Sequence, residues 1–161
     1  MTANPPTSNP AGAVVIDASI AVAIVAKEAG EPKASSEINR YLVSGSEFFA
    51  PGVLVSEALY VLCGKLDIGT LNAPDHAQAV LDFYNFLGFI LPSPNGERSL
   101  ILRAEAVRAA YACRRSADGI YIALAEELTT VRPTVLLTFD RDMRAQAARN
   151  APRVNVQVLT I

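Results

Sequence analysis

Val14-Val15-Ile16-Asp17-Ala18-Ser19 constrains this chain more than any other stretch. A short, apolar, β-branched run reads as a strand buried on both faces, as in a parallel sheet covered by helices. Asp17 stands at its carboxyl end, the edge where open α/β folds bind their ligands. The pattern returns near the other end of the chain, where Thr134-Val135-Leu136-Leu137-Thr138-Phe139-Asp140 is again a buried strand running into an aspartate. If these two strands are neighbours, their acids meet.

The residues between them alternate helix with strand. Ser19 is the expected cap of a helix reaching about Lys27, and a second helix follows Pro32 through Leu42. Glu47 to Ala50 reads as a strand. Pro51-Gly52 opens a helix to about Leu66, with Val53, Leu54, Ala58, Val61 and Leu62 at helical spacing. Pro74 starts a covering helix from about Asp75 to Leu87, its apolar positions read as Ala77, Val80, Leu81, Tyr84 and Leu87. Phe89-Ile90-Leu91 is a short strand, and Glu97 to Ala112 a long helix. In the helix from Ser116 to Leu128, Ile120, Leu124 and Leu128 share one face. Arg141 to Asn150 and Val154 to Leu159 supply the last helix and strand.

Such alternation predicts right-handed crossovers and an α/β domain of three layers, α/β/α, around a central, mainly parallel sheet of about five strands. Where chain order reverses beside the first strand, Asp17 and Asp140 become neighbours. Glu57 and Asp118, each near the N-terminal end of a helix at the same edge, can converge on them. The competing role for Asp118 is a helix N-cap. Four carboxylates within a few ångströms repel, and desolvation makes the charge costlier, so the cluster needs bound cations or raised pKa values. Hard oxygen donors select Mg²⁺ or Mn²⁺.

Composition narrows the alternatives. His76 is the only histidine, which leaves little for a Ser/His/Asp triad or a His-rich zinc site. Cys63 and Cys113 lack metal-type spacing and read as small buried hydrophobes. Residues 1–12, rich in Pro, Asn, Ser and Thr, are expected to form a disordered tail, and residues 13–161 one domain. No apolar stretch approaches the ~18 residues that span a bilayer, and Met1 to Gly12 lacks the regions of a signal peptide. A cytoplasmic protein without a membrane part is expected. The net charge of −2 speaks against a uniformly basic coat. Arginines nonetheless crowd the later acids, with Arg114 and Arg115 before Asp118, and Arg141, Arg144 and Arg149 after Asp140. Arginine forks suit phosphate oxygens.

At four positions the chain resembles a PIN-domain ribonuclease, most similar to the small stand-alone VapC-type toxins. The matching stretches are Val14 to Ser19, Glu57 within Pro51 to Leu62, Asp118 within Ser116 to Leu128, and Leu137-Thr138-Phe139-Asp140-Arg141-Asp142. The resemblance runs from about Ala13 to the C-terminus and implies a pocket binding Mg²⁺ or Mn²⁺ that cleaves RNA endonucleolytically. It makes Asp17 and Asp118 the principal metal ligands, with Glu57 and Asp140 as supporting acids. Ser19 and Thr138 match positions that orient the cluster by hydrogen bonding. Asp142 is an alternative fourth acid, and Gly119 stands where a bulkier residue is usual. A bound ion would polarise the scissile phosphate and activate water, while Arg114, Arg115, Arg141 and Arg144 hold the RNA backbone. VapC-type relatives form homodimers held by an antitoxin, and apolar helices such as Pro51 to Leu66 offer surface for both contacts.

Other classes compete. A receiver-like signalling domain needs a phosphoacceptor aspartate after its third strand, where this chain has Leu91-Pro92-Ser93. A dehalogenase-type phosphatase needs a second aspartate where Ser19 stands. A non-catalytic PIN-like binding module and a housekeeping RNA-processing nuclease remain open on sequence alone.

Overall fold

The structure, a computed structural model, describes residues 12–110 and 116–161. Arg114, Arg115, Cys113 and nearly all of the expected tail lie outside these. Among the described residues the elements run β1 (Ala13–Ile16), α1 (Ala18–Val25), α2 (Glu31–Val43), β2 (Glu47–Phe49), α3 (Val53–Asp67) and α4 (Ala73–Leu87). They continue as β3 (Ile90–Leu91), α5 (Glu97–Ala109), α6 (Ser116–Thr129), β4 (Thr134–Thr138), α7 (Arg141–Asn150) and β5 (Asn155–Val158).

The five strands form one sheet in the order β3-β2-β1-β4-β5, with every neighbouring pair parallel. Every residue of β1 is buried, which its unbroken apolar sequence requires of a central strand. Crossovers from β1 to β2 to β3 step one way along the sheet, and those from β3 to β4 to β5 step the other way. Right-handed connections therefore put α1–α4 on one face and α5–α7 on the other. The helix packing agrees, since α1 lies against α2, α3 and α4, while α5, α6 and α7 pack together. The layers are α/β/α, as expected.

Reversal of direction falls between β1 and β4, where Val14 to Ile16 pair with Val135 to Leu137. Two helices are buried almost all round and hold this junction from both sides. In α1 the buried residues are Ala18, Ile20, Ala21, Val22, Ala23 and Val25. In α6 they include Tyr121, Ile122, Ala123, Leu124, Ala125 and Leu128.

Three readings of the sequence need correction. Asp17, not Ser19, caps α1, its side chain accepting from the Ser19 backbone N–H. In α4 the buried stripe is Ala79, Phe83 and Phe86, with Val80 and Leu87 at its margin. Tyr84 is 74% exposed and Leu81 53%. Apolar residues occur at helical spacing on two faces of α4, and the one carrying two phenylalanines buries more ring area. Cys63 is exposed, because the inward line of α3 runs through Leu54, Ala58 and Leu62 and the next residue is rotated off it.

Phe83→Ala should therefore cost about 3–5 kcal/mol in urea denaturation. Tyr84→Ala should stay within about 0.5 kcal/mol of the native protein. Equal losses would mean that α4 is rotated from the face described.

Candidate active site

At the β1–β4 junction two hydroxyls converge on one carboxylate oxygen. Asp17 Oδ2 accepts from Ser19 Oγ at 2.5 Å and from Thr138 Oγ1 at 2.7 Å. Both hydroxyls are themselves held by backbone. Ser19 Oγ accepts from Phe139 N–H at 3.0 Å, and Thr138 Oγ1 accepts from Asp140 N–H at 2.9 Å. The local sequence explains this. Asp17 follows the last paired residue of β1, its N–H reaching the Leu137 carbonyl at 3.2 Å, so it lies level with Thr138 across the ladder.

Asp17, Glu57, Asp118 and Asp140 all line one cavity of about 410 Å³, together with Ala18 and Ser19 at the start of α1. Asp17 is 6% exposed. Burial pushes its carboxyl above the usual range, while the hydroxyls of Ser19 and Thr138 pull it back down. Glu57, half-buried in the second turn of α3, accepts from the phenol of Tyr121 at 2.8 Å. Its pKa is raised, chiefly by burial and further by the charge of Asp17, against the lowering effect of the Tyr121 hydrogen bond. Tyr121 is wholly buried, and its own pKa is raised by burial and by the two neighbouring carboxylates, so it serves only as a donor. Asp118 is buried in the first turn of α6, inside the helix and not at its cap, and accepts from Gln146 Nε2 at 2.8 Å. Asp140 caps α7 by accepting from Asp142 N–H at 2.7 Å. Asp142 is exposed and lies outside the cavity lining, so of the two candidates Asp140 is the one that reaches it.

Three contributors had little signal in the sequence. Tyr121 is a phenol between two isoleucines, and Gln146 is an amide on the buried stripe of α7 with Met143 and Ala147. Glu28 also lines the cavity but is already paired with Lys65. Gly119 explains its own departure from a bulkier residue, for a Cβ there would stand 2.7 Å from the Ala104 carbonyl oxygen. Its absence lets the first turn of α6, with Asp118, seat against α5.

The donor set fits a hard divalent cation. Among the described residues no lysine or arginine pairs with Asp17 or Glu57, so their charge is offset only by neutral hydroxyl and backbone N–H donors. The acids are not drawn into the tight cluster expected. Among the described residues no three His, Cys, Asp or Glu side chains are grouped closely enough to hold an ion as they stand. A second cavity, of about 490 Å³ between α5, α6 and the segment that follows α7, contains none of the four acids. Its Arg103 is tied to Glu126 and to the Asn150 carbonyl.

A model of the PIN domain matches residues 14–149. The chain belongs to the PIN domain family. Proteins of that family are generally nucleases and generally use divalent metals. This PIN domain is similar in structure to VapBC2 from Rickettsia felis, which was solved bound to a DNA fragment from their promoter. The match has 10% identity, a TM-score of 0.60, and covers 92% of this chain and 99% of that one. It is also similar to PAE2754 from Pyrobaculum aerophilum, at 18% identity and a TM-score of 0.52, covering 94% of this chain and 92% of that one. At these identities the likeness is one of fold. No curated protein matches the sequence.

The raised pKa values have a definite sign. Asp17 and Glu57 bind protons more tightly folded than unfolded, so their contribution to stability falls as pH rises from the ordinary carboxylate range toward their folded values. In EDTA, the melting-temperature difference in favour of Asp17→Asn should therefore widen as pH is raised from about 4 to 7. A difference that stays constant or shrinks over that range would contradict the charge balance described for Asp17.

Proposed function

We propose that this PIN domain is a Mg²⁺- or Mn²⁺-dependent endoribonuclease and the toxin of a toxin–antitoxin pair, acting on RNA in the cytoplasm. One observation carries the nuclease reading: a buried aspartate, clamped by two hydroxyls, opens into the same cavity as Glu57, Asp118 and Asp140. A fold built for stability alone gains nothing from charge placed there. The family supports nuclease chemistry, and the likeness to a VapBC complex supports the toxin role.

Asp17 and Asp118 would hold the ion, with Glu57 and Asp140 completing the acidic wall. When bound, a divalent ion supplies Lewis-acid polarisation of the scissile phosphate and a lowered pKa for water. Ser19 and Thr138 keep the Asp17 carboxylate in one orientation and favour its ionised form against burial. Glu57 is held through Oε2 by Tyr121, which leaves Oε1 as the oxygen to take the proton of the attacking water. Its upward-shifted pKa suits that role better than an ordinary glutamate's would. Arg141 and Arg144 are exposed on α7 just after Asp140, and they would contact the phosphates of RNA flanking the cleaved bond. Arg114 and Arg115 fall outside the described residues.

The exposed apolar side chains Val55, Leu59 and Tyr60 on α3 are the surface assigned here to an antitoxin or to a second copy of the chain. No helix among the described residues is long and apolar enough to cross a membrane.

Purified protein should cleave single-stranded or structured RNA with Mg²⁺ or Mn²⁺ and lose this activity in EDTA. Asp17→Asn and Asp118→Asn should abolish it, and Glu57→Gln should slow it by ~100-fold or more. Cleavage that survives both EDTA and Asp17→Asn would refute the assignment.

A further inference from the structure

Gln146 is the anomaly of the structure. It lies on the inward stripe of α7 with Met143 and Ala147 and is 0% exposed. Met143 and Ala147 meet the demands of that stripe with apolar side chains, and Leu or Met would do the same at 146. Instead the position carries an amide that is only half satisfied. Its Nε2 donates to Asp118 Oδ2, while its Oε1 has no hydrogen-bond partner among the described residues. A buried polar atom without a partner weakens a fold, so packing gives no account of this residue.

Its geometry does. Amide Nε2 can only donate, which suits a carboxyl oxygen as acceptor and opposes rotation of the Asp118 carboxyl plane. The contact comes from α7, whose first turn begins at Asp140, so one short helix caps itself with one acid of the cavity and grips another. On the other side, Gly119 lets the backbone of α6 close onto Ala104. Asp118 is thus fixed between α5 and α7 while its helix start faces the cavity.

We infer that Gln146 is a positioning residue, which holds the Asp118 carboxylate in the orientation that binds the divalent ion. This rests on the metal-dependent reading above. Gln146 is absent from the cavity lining and acts through Asp118, so removing its amide should weaken metal binding.

The test is a direct titration of full-length protein with Mn²⁺, following free ion by its electron paramagnetic resonance signal, alongside thermal melts in EDTA. Gln146→Leu should remain folded in EDTA yet bind Mn²⁺ about 10- to 100-fold more weakly, the usual effect of losing a partner behind a metal ligand. Met143→Leu, on the same buried stripe, should leave the Mn²⁺ dissociation constant unchanged. Gln146→Met gives the same reading should the leucine variant fail to fold. Unchanged Mn²⁺ affinity in a folded Gln146→Leu or Gln146→Met protein overturns the role of Gln146 and leaves the nuclease reading standing. A wild-type protein that binds no Mn²⁺ overturns both.

Discussion

The structure depends on one carboxylate oxygen. Asp17 Oδ2 draws the hydroxyls of Ser19 and Thr138 to itself, and those hydroxyls hold the backbone N–H groups of Phe139 and Asp140. This short network joins the end of β1, the first turn of α1, the end of β4 and the entry to α7. It does so at the point where the sheet reverses its winding, where the flanking helices diverge and leave a crevice. Four groups that would otherwise need separate partners are satisfied together, so the loop after β4 has one way to run. Asp140 is delivered to the cavity as a result.

The same network sets up an electrostatic tension. Burial raises the pKa of Asp17 and Glu57, and each hydrogen bond to them offsets only part of that cost. The remainder is borne by apolar packing, chiefly α1 and α6, which are buried nearly all round beneath the site. A charged floor on a rigid apolar base is the arrangement expected where stability is given up for a function needing fixed charge. Lys65 shows the contrast, for it pairs with Glu28 at the same cavity and leaves Asp17 and Glu57 uncompensated.

The fold was legible because its central strands have no alternative. Val14 to Ile16 and Val135 to Leu137 can only be buried on both faces, and the punctuation by Pro51-Gly52, Asp67-Ile68-Gly69 and Pro74 separates the helices between them. The acids were legible as residues, since Asp17, Asp118 and Asp140 each close or open an element and Glu57 lies near the start of one, and the shared cavity brings the four together. Tighter details were not. Alternate apolar stripes on α4 cannot be ranked without the surface they pack on. Ser19 looked like a cap because serine caps helices well, yet the preceding aspartate took that role and left its hydroxyl for the network. Tyr121 and Gln146 sit in sequence patterns that call for apolar residues, and their polar partners are 64 and 28 residues away. Only the folded chain brings such pairs together.

The central proposal is that Asp17 and Asp118 hold a divalent ion in the cavity they share with Glu57 and Asp140 at the winding reversal. Crystals grown with saturating Mn²⁺ and measured at the manganese absorption edge test it most directly. The account predicts an anomalous peak inside the cavity, bonded to carboxylate oxygens of Asp17 and Asp118. A cavity without such a peak, or a manganese ion bound only elsewhere on the chain, would contradict it.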